Sequence, residues 1–442
     1  MSQAPPAVAI VGRPNVGKST LFNRILGEQR AIVEDEPGVT RDRNIALTEW
    51  AGRAFYVIDT GGLEPETEEA VTPAVRRQVL AAIAEAEVIV LLVDGRTGPH
   101  PVDHRIAELL RKTERPVLVV VNKVDRLPYD PGYHEFWELG LGEPLPVSAI
   151  SGKGSGDLLD AVVARLPVVP PVDSAPGVIR IAVIGRPNVG KSSFINRLLS
   201  EERLVVSAVA GTTRDAIDTP LRYHGRELIF IDTAGLRRQS RIEPGLEYYS
   251  SLRTRRSLER ADVCLLLIDV NEGPHVQDLR IAAQVWEAGR GLIIVANKWD
   301  LVEKETMTSA RFTEQLQERV PFLRWAPILF ASALSGQRVH QVLETVLAVD
   351  ATRHTRIGTH ELTEAVRLLA ERQPPPHFQG RPVKLYYATQ AGEAPPTVIL
   401  FTNWPKGITE SYSRYLHNGL RERWPLQGTP LRLRFRGRKE EE

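Results

Sequence analysis

The chain predicts a duplicated α/β architecture, two mostly parallel sheets covered by helices and followed by a small α+β module, on three observations. The octapeptide Gly-Arg-Pro-Asn-Val-Gly-Lys-Ser occurs twice, at Gly12–Ser19 and Gly185–Ser192. Apolar runs rich in β-branched residues recur around each copy in the same order, and the residues after 352 change character. At 442 residues the chain suits about three domains of ordinary size.

In the first copy the apolar runs lie at Ala7–Val11, Phe55–Ile58, Val88–Val93, Val117–Val121 and Leu145–Val147. The second repeats them at Ile181–Ile184, Leu228–Ile231, Val263–Ile268, Leu292–Ala296 and Ile328–Phe330. Continuous rather than alternating hydrophobicity marks strands covered on both faces, as in a parallel sheet. After each octapeptide, Leu21 and Ile25, Phe22 and Leu26, and then Phe194 and Leu198, Ile195 and Leu199, are spaced four apart, which predicts a helix facing the sheet. Residues 168–178 are rich in proline, which removes donors and fixes φ, so they predict a stiff linker. The domains are therefore expected at 1–167, 179–352 and 353–442. In the last, a helix is predicted over Thr359–Arg372, strands over Val383–Thr389 and Thr397–Thr402, a helix from Ser411 to Arg423, and a strand over Leu431–Phe435. There Leu431, Leu433 and Phe435 alternate with Arg432, Arg434 and Arg436, which predicts one packed face and one row of guanidinium groups.

The octapeptide fits the pattern G-x-x-x-x-G-K-[ST], in which backbone N–H groups wrap phosphates, the lysine reaches the outer ones and the hydroxyl binds Mg²⁺. Gly12, Asn15, Val16, Gly17, Lys18, Ser19 and Thr20 are assigned to one such site, and Gly185, Asn188, Val189, Gly190, Lys191, Ser192 and Ser193 to another. The interval from Gly12 to Gly185 also carries Thr40 onto Thr213 and Asp59 onto Asp232. Asp59 and Asp232 end apolar runs in Asp-Thr-Gly-Gly and Asp-Thr-Ala-Gly. A carboxylate there suits the metal's water shell, and Gly62 and Gly235 supply N–H groups that sense a γ-phosphate. Asn122, Lys123 and Asp125 then answer to Asn297, Lys298 and Asp300, and Ser148-Ala149 to Ser332-Ala333. An Asp carboxylate in Asn-Lys-x-Asp accepts two hydrogen bonds from guanine, where adenine offers an acceptor, so the pattern argues for GTP and GDP over ATP.

Net charge is only +1, yet from Arg353 onward 15 Lys and Arg stand against 9 Asp and Glu, which suggests a polyanionic partner such as RNA. Residues 63–87 hold six acids against two arginines, and residues 237–260 hold seven arginines against three acids. That reversal predicts that the acidic segment shields the basic module in one nucleotide state. The single cysteine, Cys264, lies in an apolar run and reads as structural. No apolar run approaches the ~20 residues that span a bilayer, so a cytoplasmic location is expected.

In these motifs the chain resembles the Era-like GTPases, and among them the tandem-domain EngA or Der family of ribosome-assembly GTPases. Pro37-Gly38-Val39-Thr40-Arg41-Asp42, Gly211-Thr212-Thr213-Arg214-Asp215 and the terminal Ile408-Thr409-Glu410-Ser411-Tyr412 extend the likeness over nearly the whole chain. The resemblance implies a Mg²⁺-dependent GTP-hydrolysing switch that binds the large ribosomal subunit and its precursors, through rRNA and ribosomal proteins, during maturation. It implies that Thr40 and Thr213 close over the γ-phosphate and Mg²⁺, that Ala149 and Ala333 donate N–H groups to guanine O6, and that the terminal module is KH-like. Leu63 and Leu236 stand where many GTPases carry a water-orienting glutamine. Asn15 and Asn188 resemble K⁺-binding asparagines, and K⁺ stimulation is expected. The terminal module has no G-x-x-G clamp, and Tyr386, Trp404 and Tyr412 are its candidates for base stacking. A monomer with no membrane and no DNA partner completes the expectation. The alternatives are a GTPase acting on another structured RNA, as in tRNA modification, and a GTP-dependent scaffold with weak hydrolysis.

Overall fold

The computed structural model describes residues 5–27, 44–60, 68–125, 131–167, 177–200, 218–233, 247–302 and 308–437. Thr40, Gly62, Leu63, Thr213, Gly235 and Leu236, the linker residues 168–176, and residues 63–67 and 237–246 of the two oppositely charged segments lie outside these residues. The chain divides into two compact units, one of residues 1–173 with 243–256, the other of residues 174–242 with 257–442.

In the first unit, strands β1 (Ala7–Val11), β2 (Ile45–Trp50), β3 (Arg53–Asp59), β4 (Val88–Asp94), β5 (Val117–Asn122) and β6 (Leu145–Pro146) form one sheet in the order β2-β3-β1-β4-β5-β6. All neighbours are parallel except β2, which pairs antiparallel with β3. Helices α1 (Lys18–Gly27), α2 (Glu68–Glu85), α3 (Pro101–Leu110) and α4 (Ser155–Arg165) complete the fold. Because strand side chains alternate, Ala7, Ala9 and Val11 enter one core, while Val8 and Ile10 join Leu21, Phe22 and Ile25 of α1 in the other. Each of the larger side chains among them, Val, Ile, Leu or Phe, contributes about 1.5–3 kcal/mol.

The second unit repeats this order as β8-β9-β7-β10-β11-β12, with β7 (Val178–Ile184), β8 (Thr219–Tyr223), β9 (Arg226–Phe230), β10 (Val263–Asp269), β11 (Gly291–Asn297) and β12 (Ile328–Phe330). Its helices are α5 (Lys191–Leu199), α7 (Val276–Glu287), α8 (Thr308–Arg319) and α9 (Val339–Arg353), while α6 (Glu247–Arg260) belongs to the first unit as far as Arg256 and to the second from Ser257. The outer strands β2 and β8 were not among the predicted runs. As half-exposed edges they carry Thr48, Glu49 and Arg222 among their apolar residues and lack a continuous apolar stretch. Cys264 is fully buried in β10, and burial pushes its thiol up to about 12, so it behaves as a small apolar residue.

The terminal part of the second unit runs α10 (Thr359–Arg372), β13 (Leu385–Glu393), β14 (Pro396–Thr402), α11 (Glu410–Arg423) and β15 (Arg432–Gly437). Its three strands are ordered β13-β14-β15, the first pair antiparallel and the second parallel. Arg421 is fully buried, with its guanidinium 5.1 Å from the ring centres of both Trp286 and Trp325, and it donates to the Pro425 and Thr429 carbonyls. Burial pulls its pKa to about 10, and the paired rings favour the cation. Leu292 N–H donates to Gly428 O at 2.8 Å and Gly428 N–H to Trp325 O at 2.7 Å, so the module is stitched to the second sheet by backbone bonds. The expected guanidinium row is only partly open: Arg434 and Arg436 are exposed, but Arg432 donates to the Glu287 carbonyl at the end of α7. Tyr412 is also core rather than a stacking platform, 3% exposed with its hydroxyl donating to Gln373 O, while Tyr386 remains exposed.

Candidate functional site

Each phosphate loop leaves a buried central strand and ends at a helix N-terminus, so its N–H groups and the helix dipole favour an anion. Close approach explains the glycines. A Cβ on Gly12 or Gly185 would collide with the carbonyl of Leu92 or Leu267, and one on Gly17 or Gly190 with the amide of Asn122 or Asn297. Asn15 and Asn188 both hold φ at 64° and are exposed, with Val16 and Val189 buried beneath them. Lys18 Nζ donates to Arg13 O at 2.9 Å, and Lys191 Nζ to Gly185 O and Arg186 O at 2.9 and 2.7 Å. Both ammonium groups thus lie over their own loops, where a bound phosphate would compete for them. Ser19, Thr20 and Ser193 are exposed and Ser192 is half-buried at the helix starts.

The base-reading residues converge on the same end of each sheet. The Asn122 amide donates to Val16 O at 2.8 Å and accepts from Ala149 N–H at 3.0 Å; Asn297 does the same with Val189 O and Ala333 N–H at 2.9 and 3.0 Å. These asparagines are braces between the phosphate loop and the Ser-Ala loop. Ala149 and Ala333, expected to donate to guanine O6, here donate to an asparagine carbonyl. Lys123 Nζ bridges Asp94 at 2.6 Å and Asn15 O at 2.9 Å, and Lys298 pairs with Asp269 at 2.6 Å. Burial opposes ionisation of Asp269, but Lys298 and the Asn271 N–H together hold its carboxyl below the usual range.

Asp125 accepts from Arg96 at 2.7 Å and from the Ser148 hydroxyl at 2.8 Å, and those two bonds, Arg96 first, hold its carboxyl low. In the second domain Asp300 is likewise exposed, and the Ser332 hydroxyl accepts from Ser335 N–H at 3.0 Å. Two residues absent from the sequence reading stand at the rim: Ile150 and Leu334 follow the Ser-Ala pairs and are 74% and 80% exposed. A large apolar residue left in water at the same place in both copies was the available signal.

Asp59 is 3% exposed at the end of β3, whereas Asp232 is half-buried just beyond β9. Among the described residues no group of three or more His, Cys, Asp or Glu can hold a metal. A serine hydroxyl and one carboxylate are hard oxygen donors that suit Mg²⁺, a cation that keeps several waters and completes its shell with substrate phosphates. The same set is available at Ser19 and Asp59 and at Ser192 and Asp232. No helix among the described residues is long and apolar enough to cross a membrane.

A twice-built phosphate loop with paired Asn-Lys-x-Asp pockets on a β2-β3-β1-β4-β5-β6 sheet defines a tandem guanine-nucleotide GTPase. A family profile described as "50S ribosome-binding GTPase" matches residues 7–123 and 180–298, and one for the KH-like C-terminal domain of EngA bacterial GTPases matches residues 356–436. The chain is 55% identical to the GTPase Der of Gemmatimonas aurantiaca over 432 residues, 98% of each chain. It is 51% identical to that of Caldanaerobacter subterraneus over 98% of this chain and 99% of the relative, and 51% identical to that of Moorella thermoacetica over 98% of each. The chain belongs to the GTPase Der, or EngA, family. It is a GTP-hydrolysing enzyme with two G domains and a KH-like domain, and guanine nucleotide and Mg²⁺ are its ligand and cofactor.

Proposed function

We propose that this GTPase uses its two pockets to time binding to the large ribosomal subunit and its precursors during assembly, with rRNA and ribosomal proteins as contacts. The supporting observation is the pairing of two phosphate loops and two Asn-Lys-x-Asp motifs with a cationic KH-like module whose Arg434 and Arg436 are exposed. The relatives' profile carries ribosome binding in its description, and the near full-length identity extends that reading to this chain.

At each pocket Lys18 or Lys191 leaves its loop carbonyl for the β- and γ-phosphates, while the N–H groups of Asn15 to Thr20 or Asn188 to Ser193 hold the phosphate oxygens. Ser19 with Thr40 and Asp59, and Ser192 with Thr213 and Asp232, would hold Mg²⁺, the two aspartates through its water shell. When bound, the ion would supply neutralising positive charge at the phosphates. Gly62 and Gly235 N–H groups sense the γ-phosphate, and Asp125 and Asp300 accept from guanine. Leu63 and Leu236 offer no hydrogen bond to the attacking water, so positive charge beside the phosphates carries the larger share of catalysis. Asn15 and Asn188, left-handed and exposed on their loops, are assigned to K⁺. The protein acts as a cytoplasmic monomer.

The deciding experiment is co-sedimentation of the full chain with large-subunit precursors under GTP, GDP and no nucleotide. Nucleotide-dependent association supports the switch. Association unchanged across the three conditions, or none in any of them, overturns it.

A further inference from the structure

Although both copies read Asp-Thr at the end of the second central strand, the two loops are tied to different neighbours. In the first domain β3 stays paired with β1 through Ile10 and Asp59, Asp59 N–H donates to Asn44 O at 2.8 Å, and the Thr60 hydroxyl donates to Ile10 O at 2.7 Å. In the second domain the pairing of β9 with β7 ends at Ile181 and Phe230, with a last bond from Ile231 N–H to Ile181 O. Asp232 then turns into the left-handed region at φ 56°. Its N–H donates to Asp218 Oδ1 at 3.0 Å, and the Thr233 hydroxyl meets that of Thr219 at 2.8 Å. Asp218 Oδ2 accepts from Arg260 at the end of α6. Both Asp N–H groups thus face the start of the edge strand, Asp59 through the Asn44 carbonyl and Asp232 through the Asp218 carboxylate, but only Asp59 is itself paired with the central strand.

The sequence difference behind this is local. The pairings Ala46 with Val57 and Thr219 with Phe230 place Ile45 where the second domain has Asp218, and the pairings of Val8 with Val88 and Ile181 with Val263 place Glu85 where it has Arg260. Neither Ile45 nor Glu85 is able to make the same tie. A left-handed backbone at a non-glycine residue is disfavoured and persists only when its surroundings hold it, which here is a charge-assisted bond from a paired carboxylate.

We propose that Asp218 and Arg260 form a latch that holds Asp232 back from the central strand of the second domain, so that Mg²⁺–nucleotide binds there against a conformational cost the first domain does not carry. This rests on the reading that Asp232 serves Mg²⁺ through water. Asp218 and Arg260 act through Asp232 and are positioning residues. Binding restores the strand-end geometry seen at Asp59 and moves the Asp232 N–H off the Asp218 carboxylate, and the latch lowers apparent affinity by the fraction of molecules that are unlatched beforehand.

The test uses the full chain carrying Asp125→Asn, which removes guanine binding at the first site, titrated with Mg²⁺ in the presence of a fluorescent GDP. Asp218→Ala lowers the half-saturating Mg²⁺ concentration about five- to tenfold and leaves GDP affinity in EDTA unchanged, as loss of one charge-assisted bond predicts. Asp218→Asn, which keeps an acceptor for Asp232 N–H but not the charge for Arg260, gives an intermediate shift, and Arg260→Gln shifts in the same direction. In protein free of metal and nucleotide, amide exchange in the peptide containing Asp232 quickens by a similar factor in Asp218→Ala, while the Asp59 peptide is unchanged. An unmoved Mg²⁺ requirement, an increased one, or unchanged exchange overturns the latch. A parent that binds GDP at the second site with no Mg²⁺ dependence overturns the role of Asp232 itself and the latch with it. If Asp218→Ala fails to fold, Asp218→Asn and Arg260→Gln carry both measurements.

Discussion

The two phosphate loops are spelled identically, yet Arg13 and Arg186 at their second positions are anchored differently. Arg186 donates Nε to both oxygens of Asp278 at 3.1 and 3.0 Å and Nη2 to Glu272 at 2.8 Å. Arg13 lies 3.6 Å from Asp103 and donates to the Thr97 hydroxyl at 2.6 Å. Asp103 and Asp278 are fully buried, and each also accepts the N–H of the histidine that caps α3 or α7, so the loop and the following helix share one carboxylate. Where the second domain has Glu272 the first has Thr97, and a neutral hydroxyl replaces a second charge. The second domain therefore pins its phosphate loop more firmly and, through Asp218, holds Asp232 back. Identical motifs then give pockets with different ligand requirements.

The largest effects separate the pockets by their base readers. Asp125→Asn and Asp300→Asn are each expected to weaken GTP at their own site about a thousandfold, since the carboxylate loses its charge and faces a guanine N–H with an amide, and to admit xanthosine triphosphate instead. Nucleotide titration of each variant measures this. Equal loss at both sites from either variant breaks the assignment of one reader per pocket.

Next in size is the anchor. Arg186→Ala is expected to destabilise the second unit by about 3 kcal/mol, because it strands a buried carboxylate, and Arg13→Ala the first by half that or less. Denaturant unfolding gives both values, and equal losses erase the distinction. Burial pushes the carboxyls of Asp103 and Asp278 up from 3.8. Their shifts therefore add stability below 3.8 that is lost as pH rises through the folded value, and neither drives acid unfolding.

His417 does drive it, and it lies in the second unit. Burial, then the charge of Arg421, lowers its pKa from 6.5 to about 4. The native state holds this ring neutral, so its contribution is complete above 6.5 and is lost as pH falls toward about 4, roughly 2–3 kcal/mol across that window. Thermal unfolding at pH 7.5 and 5 is expected to show the second unit losing stability over this interval, with the slope flattened in His417→Gln.

The smallest effect concerns the rim. Leu334→Ser and Ile150→Ser are each expected to weaken GDP about threefold to fivefold by removing apolar area that the base would cover. A loss confined to the mutated domain sharpens the comparison, and no change at either site removes both residues from the pocket.

Much of the site was legible because its chemistry is local. Lys18, Ser19, Asp59, Asp125 and their partners sit in short motifs whose spacing already implies strand, loop and helix. The central strands and all three terminal-module strands were legible for a related reason, since apolar runs and alternation report burial directly. The edge strands β2 and β8 escaped because half-exposed strands lack that pattern. The bracing role of Asn122 and Asn297 escaped because it joins a loop near residue 16 to one near residue 149, and in the second copy residues 189 and 333.

By itself the sequence determined that this protein has two guanine-reading phosphate sites and a basic α+β terminus, because phosphate, metal and base each demand particular atoms at short separations along the chain. Only the tertiary structure decided how the duplicated sites differ. Arg186, Asp218 and Arg260 act through residues tens of positions away, and hydrogen bonding between them depends on strand register and helix placement that no local pattern contains.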